Sequence, residues 1–159
     1  MSQETFYDGL MRRQAETYNY KGKLIIRAGD VKWHSSPQGG RNAVVVDAST
    51  GMEAKSFGTI LTELAPGWQS GLHQHTFEAA VYVLEGRGRE IVGDQTFDWG
   101  VGDTFYLPPN VAHRHINLDP DKRALILQIE AWPLTIAFGV SKLDQFEPAG
   151  PAPAAIYGR

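Results

Sequence analysis

From Lys23 onward the chain alternates short apolar runs with clusters of turn-forming residues. The runs KLIIRA, AVVVDA, FGTILTELA, AVYVLEG, REIVG, QTFDWG, DTFYLP, HRHIN and ALILQIEAW are rich in Val, Ile, Leu and aromatics, and SPQGG, APGWQSG, EGRG, VGDQ and LPPN separate them. Runs of this length bounded by Gly, Pro, Asp and Asn predict strands. Many short strands without interleaved helical periodicity predict an all-β antiparallel barrel or two-sheet sandwich and disfavour a parallel α/β fold. Ahead of this region Phe6, Leu10 and Met11 recur at helical spacing, and Tyr18 extends the stripe. That spacing predicts a short amphipathic helix within residues 4–19, although such aromatics also clamp extended arms onto sheets. The Pro- and Ala-rich tail EPAGPAPAAIYGR reads as extended. The chain therefore divides into an arm (1–22), a β-barrel (23–140) and a C-terminal tail (141–159).

Length and charge narrow the function. A chain of 159 residues fits one domain with one substantial core. A net charge of -3 with scattered basic residues generates no field that would gather nucleic acid or an anionic membrane. No leader-like apolar segment and no continuously apolar stretch of 18 residues occurs, so the expectation is a soluble cytoplasmic protein. Cysteine is absent, which removes disulfides, thiolate metal sites and cysteine nucleophiles together. Any metal must be held by nitrogen and oxygen.

Four of the five histidines lie in two pairs, His73 with His75 and His113 with His115. Residues i and i+2 of a strand project to one face about 7 Å apart, so both imidazoles of a pair can converge on one ion. A single such pair is as readily a half-buried strand carrying two hydrogen-bonded imidazoles. Two pairs in turn-rich β context, with one histidine elsewhere, point to a metal site offering up to four nitrogens.

These residues sit in two motifs that resemble those of the cupin superfamily. The first has the form G-x5-H-x-H-x3,4-E-x6-G, and here runs Gly67, WQSGL, His73, Gln74, His75, TFE, Ala79, six residues, Gly86. The second has the form G-x5-P-x-G-x2-H-x3-N, and here runs Gly102, DTFYL, Pro108, Pro109, Asn110, VA, His113, RHI, Asn117. Ala79 stands where the family has glutamate and Asn110 where it has glycine. Asn tolerates positive φ, which keeps the second turn feasible. The resemblance implies a cupin β-barrel, also described as a double-stranded β-helix or jelly roll, spanning about Thr59 to Trp132. It also implies pairing of barrels through sheet edges, hence a homodimer or higher homo-oligomer.

Carried over position by position, the resemblance makes His73, His75 and His113 the metal ligands. Glu78 lies one residue before the family's glutamate position. Its readings are a solvent-facing carboxylate at a strand start or a group that reaches the ion or its bound water. Alanine at this position and an H-x-H-x-N second motif are similar to gentisate and 1-hydroxy-2-naphthoate dioxygenases, two-cupin chains about twice this length that use iron(II) held by three histidines. Three neutral imidazoles leave a divalent ion its full charge and favour an anionic chelating substrate. The donors alone accept iron, zinc, nickel, manganese or copper.

His115 shares strand parity with His113 and is a candidate catalytic group beside the ion, or a histidine packed at the barrel mouth. Asn117 is expected to secure a turn. Tyr82, Tyr106, Trp68 and Phe105 are candidate pocket walls, or plain core. Arg87 and Arg89 are candidate carboxylate readers or surface residues; Arg114 is expected to point outward. Trp33, His34 and Arg41 flank a Gly-rich loop placed to cover the mouth. The leading functional expectation is a non-haem iron(II) dioxygenase acting with O2 on a small anionic, hydroxylated aromatic or enolisable compound. The alternatives are a metal-dependent isomerase, lyase or decarboxylase using the ion as a Lewis acid, and a non-catalytic cupin that binds a small ligand.

Overall fold

The run Ala124–Glu130 shows how the sequence places its side chains. Ala124, Ile126, Gln128 and Glu130 are buried while the residues between them are more open, the period-2 pattern of a strand with one face inward. In the computed structural model, which describes residues 5–17 and 20–150, this strand is β10 and lies at the centre of a six-stranded antiparallel sheet. Its order is β1 (His34–Ser35), β2 (Arg41–Val46), β3 (Gly58–Leu64), β10, β5 (Ala79–Glu85) and β8 (Thr104–Leu107). A five-stranded sheet has the order β11 (Leu143–Gln145), β4 (His73–His75), β9 (His113–Asn117), β6 (Arg87–Val92) and β7 (Gln95–Gly100). Every strand pairing is antiparallel. The two sheets form the all-β antiparallel architecture expected from the strand pattern, in the jelly-roll form that the resemblance implied.

The barrel interior is divided between two chemistries. Leu64, Val81, Val83, Leu107, Ala124 and Ile126 are fully buried and pack with Trp68, Trp99 and Phe105 into an apolar core. Along the same inward faces the residues then turn polar: Thr62 on β3, Gln128 and Glu130 on β10, and the histidines of β4 and β9. The apolar half supplies the hydrophobic stabilisation that lets the other half carry polar groups.

Turn chemistry sets the register. Gly86, the last position of the first motif, joins β5 to β6 at φ 86°. Asn110 takes φ 59°, and its N–H donates to the His75 carbonyl, so the substitution for glycine keeps the turn. Asn117 donates to the carbonyls of Leu64, Ala65 and Lys122 and accepts from the Asp119 N–H, securing the turn after β9.

Two features depart from the strand pattern. KLIIRA forms no strand; Leu24 is 85% exposed and this segment finds no neighbouring strand to complete a ladder. Trp132–Ala137, at the end of ALILQIEAW, forms a short helix, α2, with Pro133 in its first turn. The expected N-terminal helix is α1 (Phe6–Thr17), started by a reciprocal pair in which Thr5 Oγ1 accepts from the Asp8 N–H and Asp8 Oδ2 from the Thr5 N–H. Its Phe6, Leu10 and Met11 stripe stays exposed. Tyr18 and the tail beyond residue 150 lie outside the described residues. The chain after α2 returns as β11 to pair with β4, so Leu143–Gln145 belong to the sheet that carries the histidines.

Candidate metal centre

His73 and His75 on β4 and His113 and His115 on β9 all point inward, as strand parity requires, while Gln74 and Arg114 alternate away from them. His73 is the cross-strand partner of His113, and Glu90 on β6 is the partner of His115. Ring centroids are 4.3 Å apart for His73 and His113, 4.8 Å for His75 and His113, and 5.7 Å for His113 and His115. All four rings are buried.

Each ring is engaged through Nδ1. His73 bonds the Gly71 carbonyl at 2.9 Å, His75 the Phe77 carbonyl at 2.5 Å and His113 the Val111 carbonyl at 3.0 Å. A carbonyl oxygen only accepts, so these Nδ1 atoms carry the proton and each Nε2 keeps its lone pair. His115 Nδ1 lies 2.9 Å from Glu90 Oε2, a carboxylate behind the imidazole that orients the ring. Donor atoms of His73, His113 and His115 all lie within 4.8 Å of one another. His113 Nε2 is buried without a hydrogen-bond partner among the described residues. A desolvated lone pair among other imidazole nitrogens fits a divalent metal ion, which would supply the missing partner.

The electrostatics keep these ligands available. Burial, followed by the neighbouring His115, lowers the His73 pKa to about 4. The same two causes lower His113 to about 2, and burial lowers His75. Neutral imidazole is the ligating form. Burial alone would lower His115, but the Glu90 charge and hydrogen bond outweigh it and raise this group.

A cavity of about 180 Å³ opens in front of the rings, lined by His73, His75 and His115 with Phe77, Gln128 and Glu130 among others. Phe77 stacks on His75 with centroids 4.1 Å apart and meets the Trp132 ring edge-on. Trp132 also lines the cavity; its ring fills the space that a Cβ at Gly58 would occupy, and its indole donates to Asp47. Gln128 donates to Thr62 Oγ1 at 2.7 Å. From the Gly-rich loop, Gln38 and Gly39 reach the cavity, whereas Arg41 stacks on Trp33 and pairs with Glu63. His34 is exposed.

The structure gathers the histidine candidates and disperses the others. The compact donor group includes His115, which motif spacing placed beside the ion, and His75 adjoins it, its ring centroid 4.8 Å from that of His113. Glu78 is exposed on the opposite face of the strand entry from buried Ala79, and its carboxylate accepts from the Tyr106 hydroxyl at 2.9 Å. The strand's alternation thus directs it away from the histidines. Tyr82 and Tyr106, 43% and 52% exposed, occupy the outer faces of β5 and β8, and Trp68 and Phe105 belong to the apolar core. None of these four aromatics lines the cavity. Arg87 and Arg89 pair on the surface with Asp119 and Asp98, and Arg114 with Glu147.

Sequence reasoning missed Glu90 and Glu130. Both are buried, at 0% and 7% exposure, and both share the inward parity of their strands. Burial raises both carboxyls, with His115 opposing, and brings Glu130 to about 7.

Residues 60–130 match the Cupin domain family. Gentisate 1,2-dioxygenase of a Haloferax species is 38% identical over 66 residues, which are 42% of this chain and 18% of that enzyme. The curated dioxygenases are matched over only 18% to 23% of their own lengths. Among solved structures, oxalate decarboxylase of Lactobacillus farciminis, in its formate complex, shares 19% identity at a TM-score of 0.66, covering 80% of this chain and 37% of its own. The polyketide cyclase RemF of Streptomyces resistomycificus shares 22% identity at a TM-score of 0.60, covering 69% of this chain and 79% of its own. At such identities these two likenesses establish the fold. Among the described residues no helix is long and apolar enough to cross a membrane.

Proposed function

We propose, from the match of residues 60–130 to the Cupin domain family, that the chain is a mononuclear non-haem iron(II) dioxygenase for a small hydroxylated aromatic or enolisable anion. The observation that carries this reading is the buried imidazole cluster, in which Ala79 leaves the family's carboxylate position vacant and His113 Nε2 lacks a partner. His73, His75 and His113 would hold the ion together with His115, whose donor atom lies within 4.8 Å of those of His73 and His113. An iron(II) ion bound there supplies Lewis acidity and one-electron chemistry with dioxygen. The match to a gentisate 1,2-dioxygenase supports a ring-cleaving reaction.

The remaining walls suit one aromatic ring. A cavity of about 150 Å³ accommodates benzene, and the one here is about 180 Å³. Phe77 and Trp132 offer flat apolar surface that excludes water from a bound ring, and Glu90 behind His115 keeps that imidazole's Nε2 turned inward.

A second reading, a Lewis-acid isomerase, lyase or decarboxylase, draws on Glu130, a buried carboxylate able to move a proton without oxygen. The experiment separating the two is oxygen uptake by anaerobically loaded iron(II) protein with gentisate, salicylate, catechol and β-diketones. Substrate-dependent oxygen consumption supports the dioxygenase. Turnover with zinc or manganese in the absence of oxygen supports the second reading and overturns the first.

A further inference from the structure

Glu130 is the inward-facing last residue of β10, paired across the ladders with Gly58 on one side and Ala79 on the other. Its neighbours at that level are therefore a residue with no side chain and one with a single methyl. Glu130 is buried, with 7% of the residue exposed, lines the cavity with His73, His75 and His115, and makes no side-chain hydrogen bond with any of the described residues. Gln128, the polar side chain next along the strand face, is committed to Thr62. Folding has desolvated a carboxylate at the edge of a metal-type cluster without giving it a donor, and buried groups of this kind are retained where a ligand provides the partner.

We propose that Glu130 is a specificity-determining residue: it selects ring compounds that present a hydroxyl donor to β10 while their anionic group faces the histidines, and rejects those presenting a second carboxylate. This inference rests on the metal-centre reading above. Above about pH 8, where Glu130, raised by burial to about 7, is ionised, its carboxylate only accepts hydrogen bonds, so a hydroxyl pointing at it forms a charge-assisted bond; the titrations below are run at such a pH. A substrate carboxylate in the same place meets a like charge in a water-poor cavity, where that repulsion is strongest. A site built around a substrate hydroxyl discriminates sharply against analogues that cannot supply one.

Salicylate and phthalate form the matched pair of probes: one ring, one shared carboxylate, and either a hydroxyl or a second carboxylate beside it. Calorimetric titration of both into zinc-loaded protein gives a ratio of dissociation constants. The assignment expects salicylate to bind at least roughly tenfold tighter than phthalate, and Glu130→Gln to weaken salicylate by roughly 10- to 100-fold while narrowing the ratio. Glu130→Asp, which keeps the charge but withdraws it, should keep the rejection of phthalate even if Glu130→Gln folds poorly. Glu78→Gln, outside the cavity, should leave the ratio as it is. If zinc is bound and Glu130→Gln retains the parent's ratio, or Glu130→Asp loses it, the Glu130 assignment fails and the metal centre stands. If the parent chain takes up no zinc, the metal-centre reading fails and the assignment falls with it.

Discussion

Glu90 and His115 face each other across the ladder between β6 and β9, with Glu90 Oε2 and His115 Nδ1 2.9 Å apart and both side chains sealed from solvent. The carboxylate holds the ring with Nε2 toward His73 and His113. Glu90→Gln keeps the shape and removes the charge. Metal affinity should drop roughly 10- to 100-fold, measured by competition with a chelator using zinc. An unchanged affinity would show that His115 is not oriented through Glu90.

Acid should unfold the metal-free protein through His73 and His113. Both have folded pKa values, about 4 and about 2, below the ordinary 6.5. Between pH 6.5 and these values the unfolded chain binds protons that the folded chain refuses. Stability therefore falls as pH falls, by about 1.4 kcal/mol per pH unit for each histidine. Glu130, raised from 4.5 to about 7, acts in the opposite sense between those values, because its proton is bound first in the folded state. Urea unfolding across pH 7 to 4 should show the loss, and Glu130→Gln should steepen it. A flat profile in both proteins contradicts the assigned shifts.

Ala79→Glu would restore the family residue but place it opposite Glu130. Two carboxylates facing each other in one ladder should cost on the order of 1 kcal/mol in the metal-free protein. Metal should still bind, while an anionic ligand such as salicylate binds more weakly. Adding Glu130→Gln should recover the stability, and a double variant no more stable than Ala79→Glu alone would refute the pairing of the two side chains.

Asn110 at φ 59° tests the second motif's turn. Asn110→Ala should destabilise the fold by about 1–2 kcal/mol, since a Cβ without a local hydrogen-bonding group is disfavoured there. For a domain of this size that lowers the melting temperature by roughly 2–8 °C. Asn110→Gly should melt at or near the parent's temperature. Equal losses in both variants would mean that the Asn side chain itself, and not its backbone conformation, holds the turn.

Much of the barrel was legible in the sequence because period-2 burial and turn residues coincide in AVYVLE, HRHIN and ALILQIE. The histidine cluster was legible for the same reason, since each H-x-H pair shares one face of one strand. Misread features depend on which face is inward. Tyr82 and Tyr106 are one residue out of phase with the cavity, and Glu78 is one residue before Ala79. Glu90 and Glu130 are in phase, yet a charged residue on a strand is ordinarily a surface residue, so their burial emerges only with the ladder register. KLIIRA has strand composition but no ladder partner, which no local pattern reports.

Everything proposed for this protein requires that the four-histidine pocket bind a metal ion. The most direct test is anomalous diffraction at the iron edge from crystals of the anaerobically iron(II)-loaded protein. One peak per chain is expected, among the Nε2 atoms of His73, His75, His113 and His115, with Glu78 turned away on the outer face. No peak in the pocket, or a peak beside Glu78 and Tyr106 instead, would contradict it.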